Sequence, residues 1–341
     1  MIEGHGDDLY KYERPVKVNF SSNLTNWIDP APLRTFLSER VGEALSVYPE
    51  PSPFTLEARL ARLLRLLPDN ICVTSGATEA IYLVAQSYAR SRSAVMQPTF
   101  SEYADACRIH GHRVSSLYQW PAHGHLPADV RMVWLCNPNN PTGGVWEKDF
   151  LLAQIQKNPD VLFVIDQSYE AFTLAPLFSA REASEMPNVL LLHSLTKRYA
   201  MPGLRLGYLT GPASLVAHLR THRMPWSVNG VALAAGMFLA EHPEALPFDL
   251  PGCLAEKERF VSRLRAAGGW DVWDSDTHFF LVRLRMGCAS ALKDYLMREH
   301  GLLIRDASNF EGLDSAFFRV STQRAEDNDL LVEALIRWME D

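Results

Sequence analysis

The stretch His193-Ser-Leu-Thr-Lys-Arg-Tyr-Ala-Met-Pro-Gly-Leu-Arg-Leu-Gly-Tyr208 decides how this chain is read. Lys197 follows the hydroxyl residues Ser194 and Thr196, and Arg205 lies eight positions further on. One amine, two hydroxyls and one guanidinium in so short a span suit an imine-forming lysine beside a bound phosphate. A strand end carrying ordinary surface charges has the same spelling, so the flanking sequence must decide.

Outward from this stretch, between about residues 70 and 210, short apolar runs alternate with helical patterns. Strands are predicted at Ile71–Thr74, Ala94–Gln97, Val114–Leu117, Met132–Cys136, Leu162–Ile165, Val189–Leu192 and Arg205–Leu209. Continuous apolar runs such as Leu162-Phe-Val-Ile165 suit a sheet covered on both faces. In Thr78–Ala89, Ile81, Val84, Ala85 and Tyr88 share one helical face. This alternation predicts an α/β unit with a mostly parallel sheet. Helical patterns at Pro32–Leu45, Pro251–Ala267, Ser290–Arg298 and Asp327–Met339, with strands at Phe279–Leu284 and Phe317–Ser321, predict a smaller α+β unit. The expected division is 46–250 for the larger unit and 1–45 with 251–341 for the smaller.

Composition sets the outer limits. The chain has 341 residues, 47% of them hydrophobic, a net charge of −7 and no long basic run. Nucleic acid and anionic membrane surfaces are therefore not expected as partners. No apolar run of 18 residues occurs, so no membrane span is expected. Five cysteines (72, 107, 136, 253 and 288) show no C-x-x-C pattern, and reduced thiols in the cytoplasm are expected. Asn23-Leu-Thr25 spells a glycosylation sequon, which carries no weight without a secretory context. His110-Gly-His112 and His123-Gly-His125 lack a zinc spacing, so no metal is expected.

Several loops after predicted strands carry chemistry. In Thr74-Ser-Gly-Ala-Thr-Glu-Ala80, Gly76 permits an unusual turn, and the amides of Ala77 and Thr78 head a helix, an anion site. Helix capping by Ser75 or Thr78 is the plainer use. Phe100, in Pro98-Thr-Phe100, can stack on a planar ring or pack in the core. Cys136-Asn-Pro-Asn-Asn-Pro-Thr-Gly-Gly144 makes a rigid turn that can aim Asn140 at a ring oxygen. Asp166 ends an apolar strand, where a carboxylate needs a partner. A protonated pyridine nitrogen is one partner and a helix terminus another. Tyr169, three residues on, can donate to a phenolic oxygen. Arg305 and Arg319 lie among apolar neighbours and call for anions, from substrate or from Asp306, Glu311 or Asp314. A lysine imine, a phosphate clamp and a pyridine partner are what pyridoxal phosphate (PLP) requires.

In order, these elements resemble the class I/II aminotransferase family of PLP enzymes, and within it the group of histidinol-phosphate aminotransferases and threonine-phosphate decarboxylases. The resemblance rests on V-Y-P-E (47–50), S-G-A-T-E (75–79), P-T-F (98–100), N-P-N-N-P-T-G (137–143), D-Q-S-Y (166–169), S-L-T-K (194–197), P-G-L-R-L-G-Y (202–208) and F-R-V (318–320). It implies the aspartate-aminotransferase-like fold (fold type I), an enzyme, and PLP held through Lys197. It further implies Asp166 on the pyridine nitrogen, Asn140 and Tyr169 on the phenolic oxygen, and Phe100 on the ring face. Gly76, Ala77, Thr78, Ser194, Thr196 and Arg205 would surround the phosphate. Tyr48 would reach the cofactor phosphate of a second subunit, which implies a homodimer with shared sites. Arg319 would bind a substrate carboxylate and Arg305 a distal phosphate, with Asn23 and His5 also at the substrate.

A small phosphorylated amino-acid substrate follows from the same resemblance. Met224-Pro-Trp-Ser-Val-Asn229 and Ser308-Asn-Phe-Glu-Gly-Leu-Asp314 lean toward the decarboxylase, hence L-threonine O-3-phosphate and cobalamin side-chain synthesis. An aminotransferase using histidinol phosphate and 2-oxoglutarate is the alternative, and a non-catalytic PLP-binding regulatory module a third. Asp7, Gln167 and His278 depart from the family pattern. Asp7 would repel a substrate phosphate.

Overall fold

The computed structural model describes residues 7–12, 15–121 and 124–340, and the statements below concern these residues. The arm strand β1 (Val18–Asn19) comes first, followed by the strands of a large sheet. They are β2 (Ile71–Thr74), β3 (Arg92–Met96), β4 (Arg113–Leu117), β5 (Met132–Cys136), β6 (Leu162–Asp166), β7 (Val189–Ser194) and β8 (Gly207–Thr210). Their order is β2-β8-β7-β6-β5-β3-β4. Only β8 runs against its neighbours β7 and β2; the rest of this sheet is parallel.

The unbroken apolar runs have a simple cause. Val133, Leu135, Phe163 and Ile165 enter the core on one face, while Trp134, Val164, Leu190 and Leu192 enter the core on the other. Every residue of β5 and β6 is thereby buried, as a two-sided sheet requires. Strand order reverses between β3 and β5. A crevice opens beyond the carboxyl ends of strands at such a point. The loops carrying Phe100 and Asn140 leave from these two ends, and Asp166 ends the next strand, β6.

A second, antiparallel sheet uses β9 (Trp270–Val272), β10 (Phe279–Leu284), β12 (Arg305–Asp306) and β13 (Phe317–Ser321), in the order β12-β13-β10-β9. Helices Leu250–Ala267 and Ala325–Glu340 cover it through Phe260, Leu264, Leu331 and Leu335. Strand β11 (Leu302–Leu303) pairs in parallel with β1, which ties the N-terminal arm to this region. The helix Ala31–Ser46 faces the other way. Leu33 and Leu37 enter the large sheet's core, and Phe36 stacks on Phe238 at 4.7 Å.

Two local readings change, and the helix at Lys197 is new. The strand predicted from Arg205 begins at Gly207, because Arg205 takes a left-handed φ of 55° after the turn Pro202–Leu204. Lys197 lies in a one-turn helix, Leu195–Arg198. The helix predicted over Ser290–Arg298 is α-helical over Ala289–Tyr295 and then widens to π geometry over Leu296–His300.

Candidate active site

The crevice is a cavity of about 580 Å³ lined by Ala77, Thr78, Phe100, Asn140, Asp166, Tyr169, Ser194, Thr196, Lys197, Arg205, Arg305 and Arg319. Residues far apart in sequence therefore meet at the carboxyl ends of the parallel strands.

One end is built for an anion. Gly76 opens the helix Gly76–Ser87 with φ 82°. A Cβ there would lie 2.7 Å from an Arg205 Nη, so only glycine lets the guanidinium close over the turn. A Cβ on Gly207 would lie 2.7 Å from the Ala77 amide nitrogen, which fixes β8 against the same turn. Thr196 Oγ1 is buried without a protein partner, next to Lys197. Amides at a helix N-terminus, free hydroxyls and a guanidinium together suit a phosphate.

The other end suits a pyridine ring. Asp166 accepts a hydrogen bond from the Tyr103 hydroxyl at 2.8 Å and one from the Ser168 amide at 2.8 Å. Burial pushes its carboxyl above the usual range, against the pull of these donors. A cation at this carboxylate would relieve that penalty, and a pyridinium nitrogen is one. Phe100 meets Tyr103 edge to face at 5.8 Å. Tyr103 is fully buried and stacks on Trp134.

Lys197 Nζ donates to the Ser22 carbonyl at 2.8 Å. Burial, and then the charge of Arg319, bring its amine down to about 8, against the opposing pull of Asp7. A sizeable neutral fraction near neutral pH is what a carbonyl-attacking amine needs. This donor set fits PLP: an anion cradle, a buried carboxylate short of a cation, and a softened amine.

Tyr169 is buried against Phe279 and accepts a hydrogen bond from Asn23 Nδ2 at 3.1 Å. Arg319 donates to the Asn140 side-chain oxygen and to the Ser21 carbonyl. Its Nε has no protein partner. Arg305 donates to the Asp306 carbonyl at 2.6 Å and to Asn309 Oδ1 at 2.8 Å. The two arginines face each other across the β12–β13 ladder. Burial lowers both guanidinium groups, to about 9 for Arg319 and about 10 for Arg305, so both stay charged at neutral pH.

Two expected residues do not line this cavity. Tyr48 is 89% exposed, outside the cavity lining, with its ring 6.0 Å from Trp226. Asn23 meets the cavity through Tyr169 rather than by lining it. His5 and His123 lie outside the described residues. His112 is a core histidine, bonded to Ser93 Oγ and the Ala85 carbonyl, each at 2.8 Å. Asp7 lines the cavity, held by Asn19 Nδ2 at 2.6 Å.

Two contributors were not anticipated. Tyr103 had a weak signal, an aromatic three residues after Phe100 at the start of a helix. The Ser21 and Ser22 carbonyls had none, because a backbone acceptor has no residue-type signature.

Known proteins share the chain's sequence pattern and fold. Residues 17–335 match the family described as aminotransferase class I and II. The crystal structure of L-threonine-O-3-phosphate decarboxylase from Porphyromonas gingivalis is 35% identical, with TM-score 0.91 over 95% of this chain and 100% of that one. Threonine-phosphate decarboxylase of Salmonella typhimurium is 28% identical, covering 93% of this chain and 90% of the relative. Histidinol-phosphate aminotransferase of Thermoanaerobacter sp. (strain X514) is also 28% identical, covering 94% and 93%. The chain belongs to the class I and II aminotransferase family of PLP-dependent enzymes.

Proposed function

We propose that this enzyme decarboxylates L-threonine O-3-phosphate to (R)-1-amino-2-propanol O-2-phosphate, a reaction of cobalamin side-chain synthesis. The observation that carries the reading is the pair Arg305 and Arg319, opposed across one strand pair and both facing the cavity. Two buried cations call for a substrate with two anionic groups, and threonine phosphate brings a carboxylate and a phosphate. The likeness to the Porphyromonas gingivalis decarboxylase supports the same assignment.

Bound in the cavity, PLP supplies an electron sink that weakens a bond at the substrate Cα. Asp166 would hold the pyridine proton, and Tyr169 and Asn140 would hold the phenolic oxygen. Phe100 would cover the ring. Gly76, Ala77, Thr78, Ser194, Thr196 and Arg205 would hold the phosphate. Which bond breaks would depend on how the chain's anion-binding residues orient the substrate. Arg319 on the substrate carboxylate and Arg305 on its phosphate would set that orientation, presenting Cα–COO⁻. Lys197 would supply the proton that replaces the departing carboxylate at Cα.

An aminotransferase of histidinol phosphate is the second reading, favoured by the 28% identity to the Thermoanaerobacter enzyme over 94% of this chain. There Lys197 would move the Cα proton instead. Carbon dioxide release from threonine phosphate, measured beside keto-product formation from histidinol phosphate with 2-oxoglutarate, separates the two. Transamination without carbon dioxide release would overturn the decarboxylase.

The arginines give a second test. Arg305→Ala should lower kcat/KM for threonine phosphate much more than for unphosphorylated threonine, while Arg319→Ala should lower both. Each loss should be about 2–5 kcal/mol, as for removing one partner of a buried charged contact. Equal losses on both substrates for Arg305→Ala would remove it from the phosphate site.

Lys197 gives a pH test. Its amine stands at about 8, so below that value each pH unit lowers the neutral fraction about tenfold. The rate of PLP attachment to apo-protein should rise by that factor per unit and level off above about 8. A flat profile between pH 6 and 8 would show that amine deprotonation does not control attachment.

The same reading includes a homodimer. Tyr48, Leu45, Val47, Phe54 and Trp226 are exposed apolar residues near one another in sequence or contact, a surface that a second copy would cover. Tyr48 would then reach across to the partner's cofactor phosphate. The reading also keeps the division into a PLP-binding unit of residues 46–250 and a smaller unit from both termini, and a cytoplasmic setting.

A further inference from the structure

Three consecutive residues of the N-terminal arm touch three functional side chains. The Ser21 carbonyl accepts from Arg319, the Ser22 carbonyl accepts from Lys197 Nζ at 2.8 Å, and Asn23 Nδ2 donates to the Tyr169 hydroxyl at 3.1 Å. Asn23 holds this geometry in a left-handed backbone conformation, φ 53°. Such a conformation persists only where its surroundings fix it.

His278 supplies part of that fixing. It is fully buried, and its Nε2 lies 3.3 Å from the Asn23 carbonyl oxygen. A carbonyl only accepts, so Nε2 must carry the proton. Nδ1 is then a bare lone pair, and it has no donor. The ring lies against Phe172 at 4.0 Å and meets Phe279 edge-on at 5.4 Å. Its own carbonyl accepts from the Thr322 amide at 2.7 Å, which fixes the backbone. Burial, opposed by the bond to Asn23 and assisted by the nearby charges of Lys197 and Arg319, brings the imidazole down to about 3. It is therefore neutral at working pH and cannot serve as a proton carrier.

We infer that His278 is a positioning residue: its Nε2–H clamps the Asn23 carbonyl and thereby aligns the segment Ser21–Asn23, which sets Lys197, Arg319 and Tyr169. The inference rests on the proposed attachment of PLP to Lys197. Phe279 packs on Tyr169 at 4.8 Å, so the residue after His278 braces the same phenol from a second side. A single histidine would thus hold both the arm and the strand entry that frame the lysine.

The test uses variants differing in where they place a donor. His278→Phe keeps an aromatic ring against Phe172 but has no N–H. His278→Gln places an amide N–H near the level of Nε2. His278→Asn places one only near the level of Nδ1, too short for Asn23. The first readout is the pH midpoint of the visible absorption of each holoenzyme. That midpoint would report the imine nitrogen contributed by Lys197, a position close to Arg319, Arg205, Asp7 and Asp166. His278→Phe and His278→Asn should move it by about half a unit or more, and His278→Gln should restore it.

The second readout is the split between kcat and KM for threonine phosphate. The Phe and Asn variants should lose about tenfold or more in kcat, with KM changed much less. An unchanged midpoint and kcat in His278→Phe would overturn the inference. If that variant does not fold, His278→Asn behaving like His278→Gln would overturn it instead. Wild-type protein in which borohydride fixes no PLP on Lys197 would overturn the cofactor attachment first, which keeps the two failures distinct.

Discussion

Lys197→Ala is expected to lose turnover by at least about four orders of magnitude, roughly 5.4 kcal/mol of transition-state stabilisation. The side chain would have two duties. Its amine would attach the cofactor, and once released it would carry a proton at Cα. Two other basic groups among the described residues are already engaged. Lys293 is paired with Asp8 at 2.7 Å, and His278 is held neutral by burial. Alanine leaves the Ser22 carbonyl without its donor but keeps the anion cradle and the Asp166 carboxylate intact. The variant should therefore still bind PLP, with the absorption of free aldehyde rather than of an imine. Borohydride should fix the cofactor on wild-type Lys197 and on nothing in the variant. Turnover within about tenfold of wild type would remove Lys197 from the chemistry.

The sequence exposed most of the large sheet, for a physical reason. Parallel strands buried on both faces need unbroken apolar runs, and Met132–Cys136 and Leu162–Asp166 have little alternative as helices. Phe100, Asn140, Asp166 and Lys197 could be picked out because each ends or follows such a run, where the strand's carboxyl end opens on the crevice. What stayed hidden depends on long-range placement. Arg205 looked like part of a strand, yet it turns with positive φ because its guanidinium must reach the Gly76 turn. The helix Phe54–Leu64, with Leu56, Leu60 and Ala61 buried, follows a proline-rich stretch that masks its start. The arm's role escaped notice because it acts through the carbonyls of Ser21 and Ser22. Gln167, whose side-chain amide is buried without protein partners, has no structural explanation here.

The roles of the buried polar groups also could not be ranked from sequence. Tyr103 and Asp166 are 63 positions apart, and only the fold brings the phenol to the carboxylate. With PLP placed as proposed, that contact would bear on the proton at the pyridine nitrogen. A donor on one carboxylate oxygen lowers the basicity of the other, so the carboxylate attracts a pyridinium without taking its proton. Tyr103→Phe should therefore alter the cofactor's absorption more than it alters PLP affinity, and an unchanged spectrum would leave Tyr103 a packing residue only.

Asp166→Asn should leave the fold intact and lower kcat/KM by about two to three orders of magnitude, roughly 2.7–4 kcal/mol, as for losing a preorganised electrostatic contact. The amide is close in shape to the carboxylate. Its oxygen can keep the Ser168 amide bond, and its nitrogen can donate to the Tyr103 hydroxyl, which turns from donor to acceptor. What would be lost is the negative charge proposed to face the pyridine nitrogen. Stability separates this account from a capping role. Burial raises the Asp166 carboxyl above its unfolded value, so ionised Asp166 destabilises the apo-protein at neutral pH. An acid with a raised folded value loses stability as pH rises from its unfolded value through its folded one. Apo Asp166→Asn should accordingly melt no lower than apo wild type at pH 7, and its advantage should shrink as pH falls through the carboxyl's raised range. Adding PLP should stabilise wild type more than the variant, because only wild type gains the charge pair. A cap lost to asparagine would change none of these, since asparagine caps as well as aspartate. A loss of turnover below about tenfold, with PLP stabilising both proteins equally, would reduce Asp166 to the end of a strand.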